Sequence, residues 1–495
     1  MPRVLIVGAG ATGSCAALRL RQLLGREVHI EVWEKARGPG GRMSTNRQEL
    51  GGASARADMG AQYLSLDGRD AASAGVAELL TGAGACAEVP AALLSETPER
   101  PRLEGWRHLA GAAGGVNDAL KRLIQESGAE LHCEKRVASL DEQDGQWRAR
   151  PFEGAPGLFS AVVLAVPGCG VGGDNLNKIH GSYEGKFTSE QNRALMSVQH
   201  DARWAFALFL SPECKAQCDG FFGPKLTEKV VDQGPVHLLC YQSRKTAELS
   251  GDAPAGSIVV VAHTTVEWAK RNARANGRDD RLLREVSEHV KGILGLTAPL
   301  SRVMLASKVI TWKQCQVTKP TPSSQTSGPC MLVSQRPTLV LAGDYFTESS
   351  FGGCLKSGFA AAEAVASVLT GTAPVGPLAE CADGRPVAGS PNRGDAGGKG
   401  GKGGKGGKGG KDGGGGKGGE GGEGGKGGRD SAGNEAGKGH GGGKGGRGGK
   451  GGKGGKGGKG SKGEVGGGYP SGAEKQGGGG KGKAKGYAWQ PISGA

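Results

Sequence analysis

The residues with the clearest chemical potential are three glycines spaced Gly-x-Gly-x-x-Gly, namely Gly8, Gly10 and Gly13. The first permits a tight turn, the second lets a phosphate approach the backbone, and the third lets a helix pack closely on a strand. An apolar run at 4–7 predicts a strand before them, and the apolar spacing at 14–20 predicts a helix after them. The free amides and dipole at the N-terminus of that helix favour an anion. The pattern therefore predicts a pyrophosphate site.

Two further signals narrow the ligand. A second predicted strand, 28–33, ends at Glu34, whose carboxylate falls where ribose hydroxyls are hydrogen-bonded. Beyond it, Gly40 and Gly41 allow the backbone close to a second phosphate, and Arg42 offers a guanidinium fork that pairs with phosphate. A site for nicotinamide dinucleotide alone does not need this second signal. We therefore expect FAD.

Further short motifs follow in a fixed order along residues 1–370. They are Val4 to Gly13, Trp33 to Met43, Ala57 to Tyr63, His263 to Thr265, Trp312 with Gln316 to Thr318, and Gly343-Asp344 with Phe351 to Cys354. This order resembles that of the flavin-containing amine oxidase superfamily, and within it the renalase-like branch. Most blocks are short, so their order carries the resemblance.

The resemblance implies an α/β fold with a discontinuous Rossmann-type FAD-binding domain, 1–172 and 307–372. A β-rich α+β substrate domain is expected at 173–306, followed by a disordered Gly/Lys-rich tail at 373–495. The segmental predictions are helices at 116–127, 278–294 and 358–369, and strands at 131–137, 159–166, 204–210, 236–241, 257–265 and 338–342.

The resemblance also implies which residues contact the cofactor. They are Gly8, Gly10, Thr12, Gly13, Glu34, Lys35, Gly41, Arg42, Met43, Gly60, Ala61, Gln62, Tyr63, Val137, Gly343, Asp344, Gly353 and Cys354. In members that bind flavin covalently, the attachment cysteine precedes the motif that corresponds to Gly343-Asp344. Cys354 follows that motif, so non-covalent FAD is expected.

Two enzymatic reactions are compatible with these features. In the renalase-like reaction, a 2- or 6-dihydro isomer of NAD(P)H loses hydride to the flavin, and O2 then reoxidises the flavin to give H2O2. This reaction produces an aromatic nicotinamide without proton abstraction, and the sequence offers no obvious catalytic triad or carboxylate pair. In the alternative, a primary or secondary amine loses hydride from its α-carbon. Amine oxidase sites usually have an aromatic cage and a lysine near the flavin.

Four residues are candidates for the catalytic site. His263 and Thr264 end an apolar strand where their side chains are expected to line the pocket, with His263 bonding substrate or holding the ring in place. Trp312 and Tyr345 are candidates for part of an aromatic cage. The sequence does not identify the second wall of the cage or its lysine.

Charge is concentrated at the C-terminal end. The chain has 63 Lys plus Arg and 48 Asp plus Glu, and residues 391–495 hold 21 and 8 of these, which leaves residues 1–390 near +2. Lysines recur every third residue among paired glycines, and such a segment is predicted to be disordered. It could attract nucleic acid or an acidic surface by counterion release. A third hypothesis is therefore a flavin-fold binding protein whose tail contacts nucleic acid.

The eleven cysteines show no paired spacing, and Cys214 with Cys218 lacks a second pair or histidine cluster that would complete a metal site. We therefore expect no metal. The odd cysteine number and a predicted buried strand at the start of the chain favour a reducing, cytoplasmic location. No segment approaches the roughly eighteen apolar residues that a membrane span requires.

Overall fold

A computed structural model describes residues 1–95, 104–112, 114–167, 179–251, 256–275, 279–322, 326 and 328–372. All of them fall within one compact unit, Met1–Gly397. The tail predicted to be disordered, 373–495, lies outside the described residues.

The described strands are β1 (Arg3–Val7), β2 (His29–Trp33), β3 (Thr45–Leu50), β4 (Ala53–Asp58), β5 (Leu64–Asp67), β6 (Cys86–Glu88), β7 (Trp106–Gly111), β8 (Glu130–His132), β9 (Val137–Gln143), β10 (Gln146–Pro151), β11 (Gly157–Phe159), β12 (Ala161–Leu164), β13 (Gln199–His200), β14 (Arg203–Leu210), β15 (Glu228–Gln233), β16 (Val236–Tyr241), β17 (Ile258–Thr264), β18 (Met304–Trp312), β19 (Val317–Lys319), β20 (Cys330–Gln335) and β21 (Thr338–Ala342). The described helices are α1 (Ala11–Leu24), α2 (Ala71–Gly82), α3 (Asn117–Ser127), α4 (Ser189–Met196), α5 (Lys215–Phe222), α6 (Gln242–Ser250), α7 (Val266–Arg271), α8 (Asp280–Leu294), α9 (Leu300–Val303) and α10 (Phe351–Thr370). Each of these helices is too short or too polar to cross a bilayer.

A six-stranded sheet in the order β20-β21-β12-β1-β2-β8 forms the centre of the first layer. Its strands are parallel except for the antiparallel pair β20 and β21. Strands β1, β12 and β21 are buried almost throughout, as strands covered on both faces must be. Apolar residues of α1 and α10 pack against one face, and the sheet β9 to β11 contributes to the cluster on the other. The predicted Rossmann-type architecture is confirmed.

The second large sheet is antiparallel, in the order β15-β16-β17-β14-β18. Alternate residues of β14 serve opposite faces. Trp204 and Phe206 join a core with apolar residues of α5, α7 and α8. Ala205 and Ala207 face a different cluster, which contains Ala55 and Ala57 of β4. These small side chains let β4 pack closely, so the strand that leads into the Gly60 segment lies against this sheet.

The sheet partners show where the antiparallel sheet begins and ends along the chain. Strand β18 pairs with β14 through Ser307 and on to Trp312, so the last strand of this sheet ends at Trp312. Residues Ile179, Tyr183 and Leu195 pack in the same apolar cluster as the parallel sheet, and β14 is the first strand of the antiparallel sheet. The domain limits expected at residues 173 and 307 stay predictions. Pairing partners of a strand are set by distant residues, which local pattern does not reveal.

Two predicted elements have different limits. The single strand expected at 131–137 is wrong, because β8 ends at His132 and Glu134 adopts a left-handed φ of 56°. The turn is held by amides of Glu134 and Lys135, which donate to carbonyls that follow β2. Helix α10 begins seven residues earlier than expected, at Phe351, because the Ser350 hydroxyl accepts from the Gly353 amide at 2.9 Å and caps it.

Candidate active site

The turn between β1 and α1 has the geometry that its glycines predict. Gly8 has a φ of 106°, and a Cβ there would lie 2.7 Å from the carbonyl oxygen of Ala165. A Cβ on Gly13 would lie 2.0 Å from the carbonyl oxygen of Gly8. At Gly10, by contrast, no atom of the described residues beyond its chain neighbours lies within 4 Å of the Cβ position, and none of their side chains caps the helix. The backbone is therefore open to a ligand at the second glycine, where a pyrophosphate is expected.

Glu34 lies beside this turn, at the end of β2. It is buried, and its two oxygens accept from the amides of Ala9 and Ala36, each at 2.8 Å. A carboxylate has further lone pairs, so these bonds orient the group and leave acceptor capacity for ribose hydroxyls. Lys35 is exposed, whereas Val137 is buried in the apolar cluster at the start of β9.

Arg42 and Asp344, which the sequence predicted to contact the cofactor separately, form an ion pair with each other. The Arg42 guanidinium donates to both oxygens of Asp344, at 2.6 and 2.8 Å, and also to the Cys315 carbonyl at 2.6 Å. Ser349 donates its hydroxyl to the same carboxylate. Burial of Asp344 opposes ionisation, but its hydrogen bonds and the Arg42 charge hold its pKa below the ordinary value. The pair is therefore ionised and anchors the Gly41–Met43 segment to the end of β21.

Helix α10 brings a second N-terminus to this region. Gly353 lies in its first turn, where a Cβ would meet the Glu348 carbonyl at 2.3 Å. The hydroxyl and amide of Thr12 lie beside the sulfur of Cys354 and lower its pKa, so the starts of α1 and α10 are close together. Burial is the main reason that the pKa of Cys354 is raised to about 11, so the thiol is protonated at neutral pH and weakly nucleophilic. Neither helix has an acid in its first turn, as suits an anion site.

The Gly60–Tyr63 segment is fastened to Arg42. The Ala61 amide donates to the Arg42 carbonyl at 3.0 Å, and a Cβ on Gly60 would lie 2.0 Å from that oxygen. Gln62 is buried, and the Nε2 of its side chain donates to the backbone carbonyls of Asp58 and Gly60 at 2.8 and 2.9 Å. The segment is thus a rigid piece of backbone with a small residue at its closest approach.

His263 and Trp312 reach this segment from the antiparallel sheet. His263 pairs with Ala205, and Trp312 pairs with Arg203, so both side chains lie on the same face. The Nε2 of His263 lies 2.7 Å from the carbonyl oxygen of Met59 and therefore donates to it, since a carbonyl only accepts. The Trp312 ring lies 3.3 Å from the Cβ position of Gly60. These two predicted site residues are brought together at one edge of the Gly60 segment.

The structure places Thr264 and Tyr345 in the packed interior. Thr264 is fully buried on the opposite face from His263, and its hydroxyl accepts from the Trp204 amide at 3.0 Å. The Tyr345 ring is 2% exposed and packs on Phe346 with ring centroids 4.5 Å apart, within the apolar core. A Cβ on Gly343 would lie 2.2 Å from the Tyr345 ring, so the absence of a side chain at Gly343 leaves room for this ring.

Sequence reasoning missed His200, at the end of the two-residue strand β13. Its Nε2 is buried and makes no hydrogen bond to the residues that the structure describes. Burial, together with the Arg42 charge, lowers its pKa below the ordinary value, so the ring is neutral at physiological pH. The negative charge of Asp344 acts in the opposite direction and raises the pKa of the same ring. So short a strand has no periodic signal that would have marked His200.

Lys245 on α6 was also missed. It is buried, and its ammonium donates to Asp58 at 2.9 Å and to the backbone and side-chain oxygens of Gln62, both at 3.1 Å. The pKa of Asp58 is lowered despite its burial, mainly because of the Lys245 charge. In the sequence, Lys245 stands among polar residues and therefore looks solvent-exposed. The one sign of a buried partner was Asp58, an acidic residue between the apolar residues Ala57 and Met59.

These features fit an FAD. Two helix N-termini free of acids meet near the Arg42–Asp344 pair, open space surrounds Gly10, and the buried Nε2 of His200 lacks a protein partner in the described ranges. A dinucleotide needs such a combination of backbone donors, an acceptor for ribose and a fixed polar end.

Comparison with known proteins agrees with this geometry. Residues 6–78 match an NAD(P)-binding Rossmann-like domain, and residues 69–366 match the flavin containing amine oxidoreductases. Renalase of Mus musculus is 26% identical over 365 residues, which cover 72% of this chain and 96% of the relative.

Two solved structures match the chain at low sequence identity. One is described as a protoporphyrinogen oxidase from Exiguobacterium sp. 255-15, with 13% identity, a TM-score of 0.47, and coverage of 74% of this chain and 98% of the other. The second is a double mutant of putrescine oxidase, with 12% identity, a TM-score of 0.48, and coverage of 74% and 99%. The family match spans more than half of the sequence and makes the protein a flavin-dependent oxidoreductase. The chain belongs to the family of flavin containing amine oxidoreductases.

Proposed function

We propose that this protein is an oxidase that binds FAD non-covalently and oxidises the 2- or 6-dihydronicotinamide isomers of NAD(P)H, with O2 as the acceptor and H2O2 as the product. The observation that carries the proposal is the meeting of His263 and Trp312 at the Met59–Gly60 backbone. Similarity to Renalase over 96% of that relative supports it. When bound, FAD supplies a two-electron acceptor that O2 reoxidises.

In this proposal the chain holds FAD along its diphosphate, ribose and ribityl groups. The Gly8–Gly13 turn and the start of α1 bind the pyrophosphate, and Glu34 accepts from ribose. Asp344, kept ionised by Arg42, accepts from the ribityl chain. Cys354 stays a neutral thiol beside Thr12, which supports non-covalent binding.

The chain's work on the substrate is positional. Loss of hydride from a dihydronicotinamide isomer leaves an aromatic cation, so no side chain has to remove a proton. Trp312 provides an aromatic wall, and His263 fixes the backbone at Met59. Correct placement of reacting atoms supplies a large part of the rate enhancement in such a site.

Oxidation of amines is the second candidate, and one observation favours it. Lys245 is a buried lysine in contact with Gln62, and a lysine near the flavin is expected in amine oxidases. Its ammonium is already paired with Asp58, however, and Tyr345 lies in the core instead of facing Trp312. The dihydronicotinamide proposal requires neither a second aromatic wall nor a free lysine.

Anaerobic mixing separates the two candidates. Oxidised holoenzyme is mixed with each dihydronicotinamide isomer and with a panel of primary and secondary amines, and flavin bleaching is followed by absorbance. The proposal expects rapid bleaching by an isomer and slow or absent bleaching by amines. Rapid bleaching by amines alone would reject it. A Lys245→Met variant that still binds flavin should retain the isomer reaction.

A further inference from the structure

Two histidines and two glutamates meet on one face at the edge of the parallel sheet. His29 and Glu31 alternate along β2, and Glu130 and His132 alternate along β8. Glu31 is in register with Glu130 in the parallel pair, so all four side chains point the same way. The sequence carries this as His-Ile-Glu and Glu-Leu-His, separated by about a hundred residues, which hides the cluster from motif reading.

Three of the four groups, His29, Glu31 and Glu130, have the spacing of ligands around a single small cation, and His132 lies beside them. His29 Nε2 lies 3.5 Å from Glu31 and 3.3 Å from Glu130, while His132 Nε2 lies 3.4 Å from Glu31 and 3.1 Å from Glu130. Neighbouring ligands of a tetrahedral Zn²⁺ with bonds of about 2.0–2.1 Å are separated by about 3.4 Å. Ligand atoms of His29, Glu31 and Glu130 all lie within 4.8 Å of one another.

Hydrogen bonding leaves this cluster incomplete. The Nε2 of His132 is buried and makes no hydrogen bond in the described part of the chain, although carboxylate oxygens lie 3.1 and 3.4 Å away. A neutral imidazole lone pair and carboxylate oxygens at this distance are all electron-pair donors to a metal. Two carboxylates side by side also repel each other, and a divalent cation between them removes that cost.

Glu31 is prepared as a ligand by its surroundings. Its side chain is 5% exposed, and it accepts from Trp33 Nε1 at 3.0 Å and from the Arg3 guanidinium. These bonds fix the orientation of the carboxylate, as outer partners of metal ligands do.

We propose that His29, Glu31 and Glu130, with His132 beside them, form a Zn²⁺ site that joins edge strand β8 to β2. This replaces the expectation of no metal, which rested on cysteine spacing. The ion would fix a three-residue edge strand whose following turn donates from Lys135 to the Glu34 carbonyl at 2.8 Å. The site shares no residue with the candidate active site, so its failure would leave the proposed oxidase function untouched.

The test is zinc binding by the full chain with its flavin bound, measured by equilibrium dialysis and metal analysis. We expect one saturable Zn²⁺ per chain, at least tenfold weaker binding in Glu130→Gln, and its loss in the double variant His29→Ala with His132→Ala. The Glu130 side chain is 54% exposed, so E130Q should fold normally, which flavin absorbance and thermal unfolding will verify.

The matched control is His237→Ala, which removes a surface histidine that lies 2.5 Å from Asp232 without disturbing the cluster. Its zinc affinity should equal that of the unaltered chain, and His440 in the tail is common to every variant. Zinc should also raise the unfolding midpoint of the unaltered protein and of His237→Ala, but not that of the double variant. Equal zinc binding by E130Q and the unaltered chain, or no saturable binding at all, overturns the proposal.

Discussion

The Arg42–Asp344 pair should be the most costly contact in the site to break. Removing Arg42 leaves a buried carboxylate without its partner, and we expect Arg42→Ala to lower the free energy of unfolding by about 3–5 kcal/mol at neutral pH. The pKa of Asp344 is depressed in the folded protein, so its contribution is present above the ordinary aspartate pKa and is lost as pH falls through the folded pKa. The difference between the two proteins should therefore shrink in acid. Urea unfolding at neutral and acidic pH measures it.

Arg302→Ala is the matched control for this arginine. Its partner is Glu213 at 2.8 Å, and both side chains are largely exposed. Such a pair contributes about 0–1 kcal/mol. A similar loss in both variants, or a loss in Arg42→Ala that grows toward acid, would contradict the role given to Asp344.

Neighbouring residues His263 and Thr264 should affect different properties. His263→Ala removes the hydrogen bond to the Met59 carbonyl, so the backbone beside the flavin ring is no longer fixed. We expect anaerobic flavin reduction to slow by about tenfold to a hundredfold. Thr264→Val leaves the Trp204 amide unpaired and should cost about 1–3 kcal/mol of stability with an unchanged reduction rate. Stopped-flow absorbance and urea unfolding distinguish the two. Equal slowing by both variants would count against the face assignment.

Residue chemistry was predictable where a local motif defines it. Gly8, Gly13 and Glu34 lie where the spacing placed them, because their roles depend on a turn encoded by adjacent residues. The role of Thr264 was not predictable, because a shift of one residue moves a strand side chain to the other face. Tyr345 lies in the short helical turn Asp344–Phe346, and its burial depends on apolar residues from distant parts of the chain. The burial of Lys245 depends on Asp58, which is far away in sequence.

At the level of elements, Gly10 and Gly358 should separate cofactor binding from folding. A Cβ at Gly10 has no atom within 4 Å in the described part of the chain beyond its neighbours, and its φ of −84° suits alanine. Gly10→Ala should therefore fold normally but lose about tenfold or more in flavin affinity, or about 1.4 kcal/mol. A Cβ at Gly358 meets the Thr12 carbonyl at 2.5 Å, so Gly358→Ala forces α1 and α10 apart and should cost about 1–3 kcal/mol. Flavin titration and thermal unfolding report the two effects.

Gly75→Ala on α2 supplies the reference, since nothing lies within 4 Å of its Cβ position. Alanine is favoured over glycine inside a helix, so this variant should be slightly more stable and bind flavin normally. Full flavin affinity in Gly10→Ala would mean that the pyrophosphate does not lie against this glycine.

Helices whose ends carry a capping residue or a terminating glycine were predicted well. Helix α3 ends where Gly128 adopts a left-handed φ of 59°, and α8 starts beside its capping Asp279. The break at Glu134 was missed because the turn depends on carbonyls beyond β2. The placement of β18 was missed for a similar reason, since its partner β14 lies about a hundred residues earlier.

At the scale of the whole molecule, the candidate site lies where two sheets meet. The parallel sheet supplies Glu34 and Asp344 at strand ends, and the antiparallel sheet supplies His263 and Trp312. The segment between them, Gly60–Tyr63, is fastened to Arg42 on one side and to His263 on the other through Met59. The chemistry therefore depends on an interface that no single stretch of sequence encodes.

The remaining charge of the molecule gives the last prediction, which concerns the tail. Residues 391–495 carry 21 basic and 8 acidic residues, whereas residues 1–390 are near +2, so deletion of 391–495 removes most of the net positive charge. All the residues placed in the candidate site precede this segment, so the truncated protein should reduce and reoxidise its flavin at unchanged rates.

Binding to a nucleic-acid duplex should belong to the full chain alone and should fall steeply with salt, because each neutralised phosphate releases counterions. Flavin kinetics and a salt series of fluorescence anisotropy on both proteins measure this. Loss of turnover on truncation would mean that the tail contributes to the site, and equal nucleic-acid affinity of both proteins would assign binding to the body.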